Sequence, residues 1–197
     1  NFLMNRQMQA VAGLGLLVLL AIPDIRHAME ESMWRHMLVQ FPLWTGAAFL
    51  LAGGIPAYLR KTIARWNMYG ISGLFVTGII FAVLMIPRVL DQALLHPEIE
   101  LAKLIALVLA GMALRLSWRP AGLILQFFFL GNMLPMMGVV GWLYTESPQR
   151  LCNAYLLDDQ IQLGNWLIAA VAIIAVIWLT WIAWFITCQE TRQISRH

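Results

Sequence analysis

Charge is scarce in this sequence: Asp, Glu, Lys and Arg make up only 12% of its 197 residues. That is about half the share found in soluble domains. So few charges leave no basic face for nucleic acid, which is therefore not an expected partner. Two cysteines exclude a disulfide scaffold. Also absent are a GxSxG elbow, a phosphate loop, an HExxH pair, a CxxC pair and a CxxCH haem attachment, so no common hydrolase, nucleotide or redox chemistry is announced. We find no internal repeat, low-complexity tract or soluble domain.

What the sequence does have is apolar length. Hydrophobic residues make up 61% of it, in recurring runs close to the roughly 20 residues that a helix needs to cross a bilayer. The expected fold is all-α: one integral membrane domain over residues 1–197, a polytopic bundle of about six transmembrane helices. The expected spans run from about Met8 to Ile22, His36 to Tyr58, Asn67 to Pro87, Glu100 to Ser117, Ala121 to Tyr144 and Leu163 to Thr187. No small-x-small cleavage site cleanly follows the first run, so it reads as a span rather than a signal peptide. Short loops predict that neighbours in sequence pack as antiparallel neighbours.

Six spans sort the charges by side. One side collects Arg6, Arg60, Lys61, Arg65, Arg115, Arg119, Arg192 and Arg196 with the single acid Glu190. The other holds Arg26, Arg35, Arg88, Lys103 and Arg150 against Asp24, Glu30, Glu31, Asp91, Glu98, Glu100, Glu146, Asp158 and Asp159. The positive-inside rule then places both termini in the cytoplasm of a bacterial-type inner membrane, with the acidic face periplasmic or extracellular. Cys152 and Cys188 fall on opposite sides, roughly 30 Å apart, and cannot form an intrachain bridge.

His27, His36 and His96 belong to the acidic outer side, and His197 is the last residue. Around the first two, a helical segment would align Met29, Met33 and His36 on one stripe, with Met37 one turn below Met33. His27, nine residues before His36, faces away unless the chain bends. Thioether and imidazole are soft ligands that suit Cu(I) better than Mg, Ca or Mn, while Glu30 and Glu31 leave a harder metal open. The plainer reading is that methionine fills gaps between helices and histidine sits at an interface. Met85, His96 and the segment Asn132-Met133-Leu134-Pro135-Met136-Met137 extend the same gradient toward the outer end.

Other positions have local expectations. Pro135 should kink its helix and free a carbonyl, with Asn132 nearby as a partner. Lys103 should snorkel outward or pair with Glu100 or Asp91, and Arg88 is spaced to meet Asp91. The doublets Glu30/Glu31 and Asp158/Asp159 read as solvated faces rather than acid/base dyads.

Two segments carry a resemblance. His36-Met37 entering the second span, followed by Pro42-Leu43 and Gly46, and the outer loop from Tyr155 through Asp159-Gln160 to Gly164 and Trp166, together resemble the CtaG group of membrane proteins associated with cytochrome c oxidase assembly. Members of that group are usually longer, with more spans and a denser histidine-rich segment. The resemblance implies copper supply to, or maturation of, a haem-copper oxidase, with His27, His36 and Met37 as the positions carried over.

The expected function is thus a copper-handling membrane protein with a transient Cu(I) site at the outer face, drawing on His27, Met29, Met33, His36, Met37 and His96. An assembly factor or complex subunit is expected rather than an enzyme. Its partners would be the lipid bilayer and a haem-copper oxidase or other respiratory membrane complex. One alternative is a haem b electron-transfer subunit with His36 and His96 as axial ligands. Another is a cofactor-free subunit of a larger respiratory complex.

Overall fold

The computed structural model describes the backbone of residues 5–194 and side chains through Cys188. The placements of Glu190, Arg192, Arg196 and His197 therefore lie outside the described side chains.

The described residues form helices and short connections, without strands. They comprise α1 (Arg6–Leu20), α2 (Pro23–Glu30), α3 (Met33–Arg35), a π-helical stretch His36–Gln40, α4 (Phe41–Leu51), α5 (Ala57–Trp66), α6 (Ile71–Leu84), α7 (Pro87–Leu95), α8 (Pro97–Trp118), α9 (Gly122–Glu146) and α10 (Leu157–Ile194). Proline opens α2, α7 and α8 at their first positions, where the missing N–H has no helical partner to lose. Tyr69 (φ 56°) and Gly70 (φ 73°) take left-handed backbone and separate α5 from α6.

Three stretches are long and apolar enough to cross a membrane: Met33–Gly54, Gly122–Glu146 and Leu157–Cys188. Two bent pairs raise the number to five if each counts as one span: Arg6–Leu20 with Pro23–Glu30 at 73°, and Ala57–Trp66 with Met68–Leu84 at 67°. This is fewer than the six expected. Helix α1 is only 15 residues long, and α8 carries Glu98, Glu100, Lys103 and Arg115 within its length.

Packing keeps span order for α1 with α4, α6 with α8 and α9 with α10, and departs from it where α4 meets α8. Helix α4 packs chiefly against α8 and α1, α8 lies between α4 and α6, and α9 pairs with α10. Small residues explain the pairing. Ala47, Ala48 and Ala110 are fully buried, and a Cβ on Gly111 would stand 2.8 Å from Ala48 Cβ and 3.0 Å from Phe49 N. The helix backbones nearly touch there, as small residues permit between membrane helices.

The two ends of the bundle differ in character. At one end Arg115 donates to Gln9 (2.8 Å) and Asn67 to Ser117 (2.9 Å), joining α1 and the α5–α6 connection to α8. At the other, Tyr144 of α9 donates to the Met85 carbonyl after α6 (3.1 Å), and the loop 147–156 folds back over α7. That second end holds the buried polar groups.

Candidate functional site

The site begins with Pro42. It has no N–H to give the Leu38 carbonyl, and its ring would crowd that carbonyl in a regular α-helix. The preceding turn widens into the π-helical stretch His36–Gln40, a distortion that recurs at functional sites. Within it His36, Met37 and Gln40 are buried. A short turn at Glu31-Ser32 brings the end of α2, with Glu30, alongside.

From across the packed α4–α8 interface comes Lys103, one turn and a half into α8. Its ammonium is 3.2 Å from Glu30 Oε1, 2.8 Å from His36 Nε2 and 3.2 Å from Gln40 Oε1. Three acceptors thus meet the three N–H groups of an ammonium. Gln40 also donates to Glu30 Oε1 (3.0 Å). The Lys103 and Glu30 side chains retain only 1% and 8% of their accessible surface. The expected snorkelling does not occur, and Glu30 is not a solvated carboxylate. Both were misread because each partner lies far away in sequence. At the rim, Arg26 pairs with Glu100 at 2.9 Å.

Tyr155, in the loop before α10, closes the cluster from above. Its hydroxyl donates to the Glu30 carbonyl (2.9 Å) and stands 2.9 Å from His36 Nδ1. Having spent its one proton on the carbonyl, it accepts from Nδ1–H. That assigns the imidazole tautomer: the Nε2 lone pair is left to accept from Lys103. Burial, followed by the nearby negative charge of Glu30, raises the Tyr155 hydroxyl above the ordinary tyrosine range, so it stays protonated.

The loop is held in place for this contact. Asp91 of α7 accepts the backbone N–H groups of Asn153 (2.8 Å) and Ala154 (3.1 Å), so it is not paired with Arg88 as its spacing suggested. Arg150 donates to the carbonyls of Asn153 (2.7 Å) and Tyr155 (3.1 Å). Gln160 accepts from Leu151 N (2.7 Å). Cys152 is buried and free, as is the half-buried Cys188. Burial and then Asp91 push the Cys152 thiol up to about 12, which makes it a poor nucleophile.

Changing Tyr155 to Phe removes one hydroxyl and strands two buried groups, His36 Nδ1–H and the Glu30 carbonyl. A loss of about 1–3 kcal/mol is expected, read as a lower unfolding midpoint in detergent. An unchanged midpoint would show that the loop does not seal the cluster.

The other candidates are distributed unevenly. Met33 and Met37 are buried in the same apolar cluster as Met85, with Met29, Met136 and Met137 packed against it. These methionines therefore belong to one large apolar cluster. His27 is exposed on α2. His96 lies outside the cluster and faces Glu98 at 3.4 Å on an exposed corner. Neither ring nitrogen of His36 is turned to His27 or His96; they meet Tyr155 and Lys103. Among the described residues, no three His, Cys, Asp or Glu side chains are grouped to hold a metal ion. Pro135 remains within α9, with Asn132 donating to the Phe128 carbonyl (2.7 Å). Met133 and Met136 line an apolar cavity of about 410 Å³ between α6 and α9.

Glu30, Gln40, Lys103 and Tyr155 are the site residues that sequence reasoning did not assemble. Lys103 in an apolar run was the available signal, since intramembrane charges are usually functional. Tyr155 lay in one of the two segments carrying the family resemblance, and the structure brings it against His36 in the other. Comparison with protein-family models, curated proteins and solved structures finds no match to this chain.

Proposed function

We propose that this protein is a copper-handling membrane factor, of the kind that serves assembly of a haem-copper oxidase, holding Cu(I) transiently as cargo near His36. In this reading α1, α6 and α8 cross the membrane together with the three long apolar stretches, and these six spans leave both termini in the cytoplasm of a bacterial-type inner membrane. The site then opens toward the periplasm or the exterior.

One observation carries the reading: His36 is held as a neutral ring with its proton on Nδ1 and the Nε2 lone pair facing a positive charge. Metal-binding histidines are commonly prepared in this way, one ring N–H fixed by a hydrogen bond and the other nitrogen left to ligate. The positive charge is now the Lys103 ammonium. Cu(I) also carries one positive charge, so it could take that place beside Glu30 with the net charge of the cluster unchanged, provided that Lys103 gives up one proton to solvent as the ion enters. Met33 and Met37 supply the soft sulfur that Cu(I) favours.

Ligand exchange rather than covalent catalysis would move the cargo. Met33→Leu and Met37→Leu keep side-chain volume while removing sulfur, so both should fold. With a Cu(I) chelator as competitor, each is expected to weaken binding by about tenfold, equivalent to roughly 1.4 kcal/mol, and His36→Ala to remove it. Copper binding at wild-type strength in both leucine variants would overturn the reading.

A further inference from the structure

The opposite end of the bundle carries a second feature, independent of the copper reading. Helix α5 follows the candidate span Met33–Gly54 and is bent 67° away from the apolar stretch Met68–Leu84, so it does not continue the direction of α6. Its sequence, AYLRKTIARW, contains three cations and no carboxylate. On helical spacing Leu59, Ile63 and Trp66 form one stripe, and Lys61 and Arg65 lie opposite.

None of its residues is buried. The apolar stripe is open: Leu59 is 42% exposed and Trp66 is 85% exposed. The cations are equally unengaged. Arg60, Lys61 and Arg65 meet no carboxylate among the described residues, whose ion pairs all belong to the other end of the molecule. Arg6 and Arg119 lie within electrostatic reach of Arg115 at this same end, so further positive charge gathers there beside that of α5.

We propose that α5 is an interfacial helix that recognises an anionic phospholipid surface, its apolar stripe entering the acyl boundary and its cations pairing with head-group phosphates. An apolar stripe opposite cations is the pattern of a helix lying in the membrane plane. The charge selects the lipid: a zwitterionic surface satisfies the stripe alone, whereas an anionic one satisfies both faces. Arg60, Lys61 and Arg65 then fix the depth and tilt at which the neighbouring spans enter the bilayer.

The test uses the full chain in nanodiscs of phosphatidylcholine alone or of equal parts phosphatidylcholine and phosphatidylglycerol, with hydrogen exchange followed in peptides covering α5. Phosphatidylglycerol should slow exchange in α5 by about tenfold, and high salt should reverse this. Inorganic phosphate added to the phosphatidylcholine discs should not reproduce it. The triple variant Arg60→Gln, Lys61→Gln, Arg65→Gln should exchange alike in both membranes. Equal exchange of the wild-type helix in the two membranes overturns the proposal, as does protection by free phosphate.

Discussion

Replacing Glu30 with leucine should destabilise the protein by about 3–5 kcal/mol, the usual consequence of removing one partner of a buried ion pair. The reason is the company Lys103 keeps. Its side chain is 1% exposed, and its other two acceptors, His36 Nε2 and Gln40 Oε1, are neutral. Without Glu30 the ammonium keeps hydrogen bonds but loses its nearest counter-charge, and Gln40 loses an acceptor as well. Leucine would also leave the Arg26–Glu100 pair as the nearest acidic partner, at the rim rather than in the core.

The pair as a whole should behave differently from its halves. Exchanging both residues, Glu30→Gln with Lys103→Met, removes two charges together and keeps similar volumes. Such double replacements are often neutral or stabilising, so the double variant is expected within about 2 kcal/mol of wild type. Unfolding midpoints in detergent, measured for both singles and the double, give the coupling directly. A Glu30→Leu protein as stable as wild type would mean that Lys103 reaches water after all. The double variant also places a thioether where the ammonium stood. Under the copper reading it should bind Cu(I) more tightly than wild type, separating stability from cargo binding.

These two residues show what the sequence can and cannot disclose. Helix starts have a local cause that the expected spans did not use: Pro23, Pro87 and Pro97 open helices where their missing N–H does no harm, whereas the expected spans ended at Ile22 and Pro87 and resumed at Glu100. Lys103 and Glu30, however, are 73 positions apart, and His36 and Tyr155 are 119 apart. Nothing local records such distances, so Lys103 read as a snorkelling cation and Glu30 as a solvated acid. The π-helical turn at His36–Gln40 was equally hidden, although Pro42 supplied its cause in plain view. Spacing put Met33 and His36 on one stripe; it could not say that Lys103 would occupy the acceptor nitrogen of His36.

Helix pairing was hidden for a related reason. Sequence order favours neighbours, yet α4 chose α8, and glycine decides how close they come. Gly111→Leu should therefore be among the most damaging single substitutions in the bundle, costing about 3 kcal/mol or more through overpacking. The side chain would grow into the Thr45 carbonyl, Ala48 Cβ and Phe49 N of α4, and backbone does not yield as a flexible side-chain tip does. Even Gly111→Ala should destabilise, since its single Cβ meets those atoms. Gly46, on α4, provides the contrast, because a methyl group there would have nothing within 4 Å. Gly46→Ala should be neutral or stabilise by up to about 1 kcal/mol through helix propensity. The consequence extends to the site. Gly111 stands eight residues from Lys103 on the same helix, roughly 12 Å along its axis, so separating α8 from α4 withdraws the ammonium from His36 and Gln40. Gly111→Leu should lower the unfolding midpoint and also remove the stability difference between Tyr155→Phe and its parent, because the cluster that Tyr155 seals would already be open. A Gly111→Leu protein that melts like wild type would mean that the two helix backbones are not in contact.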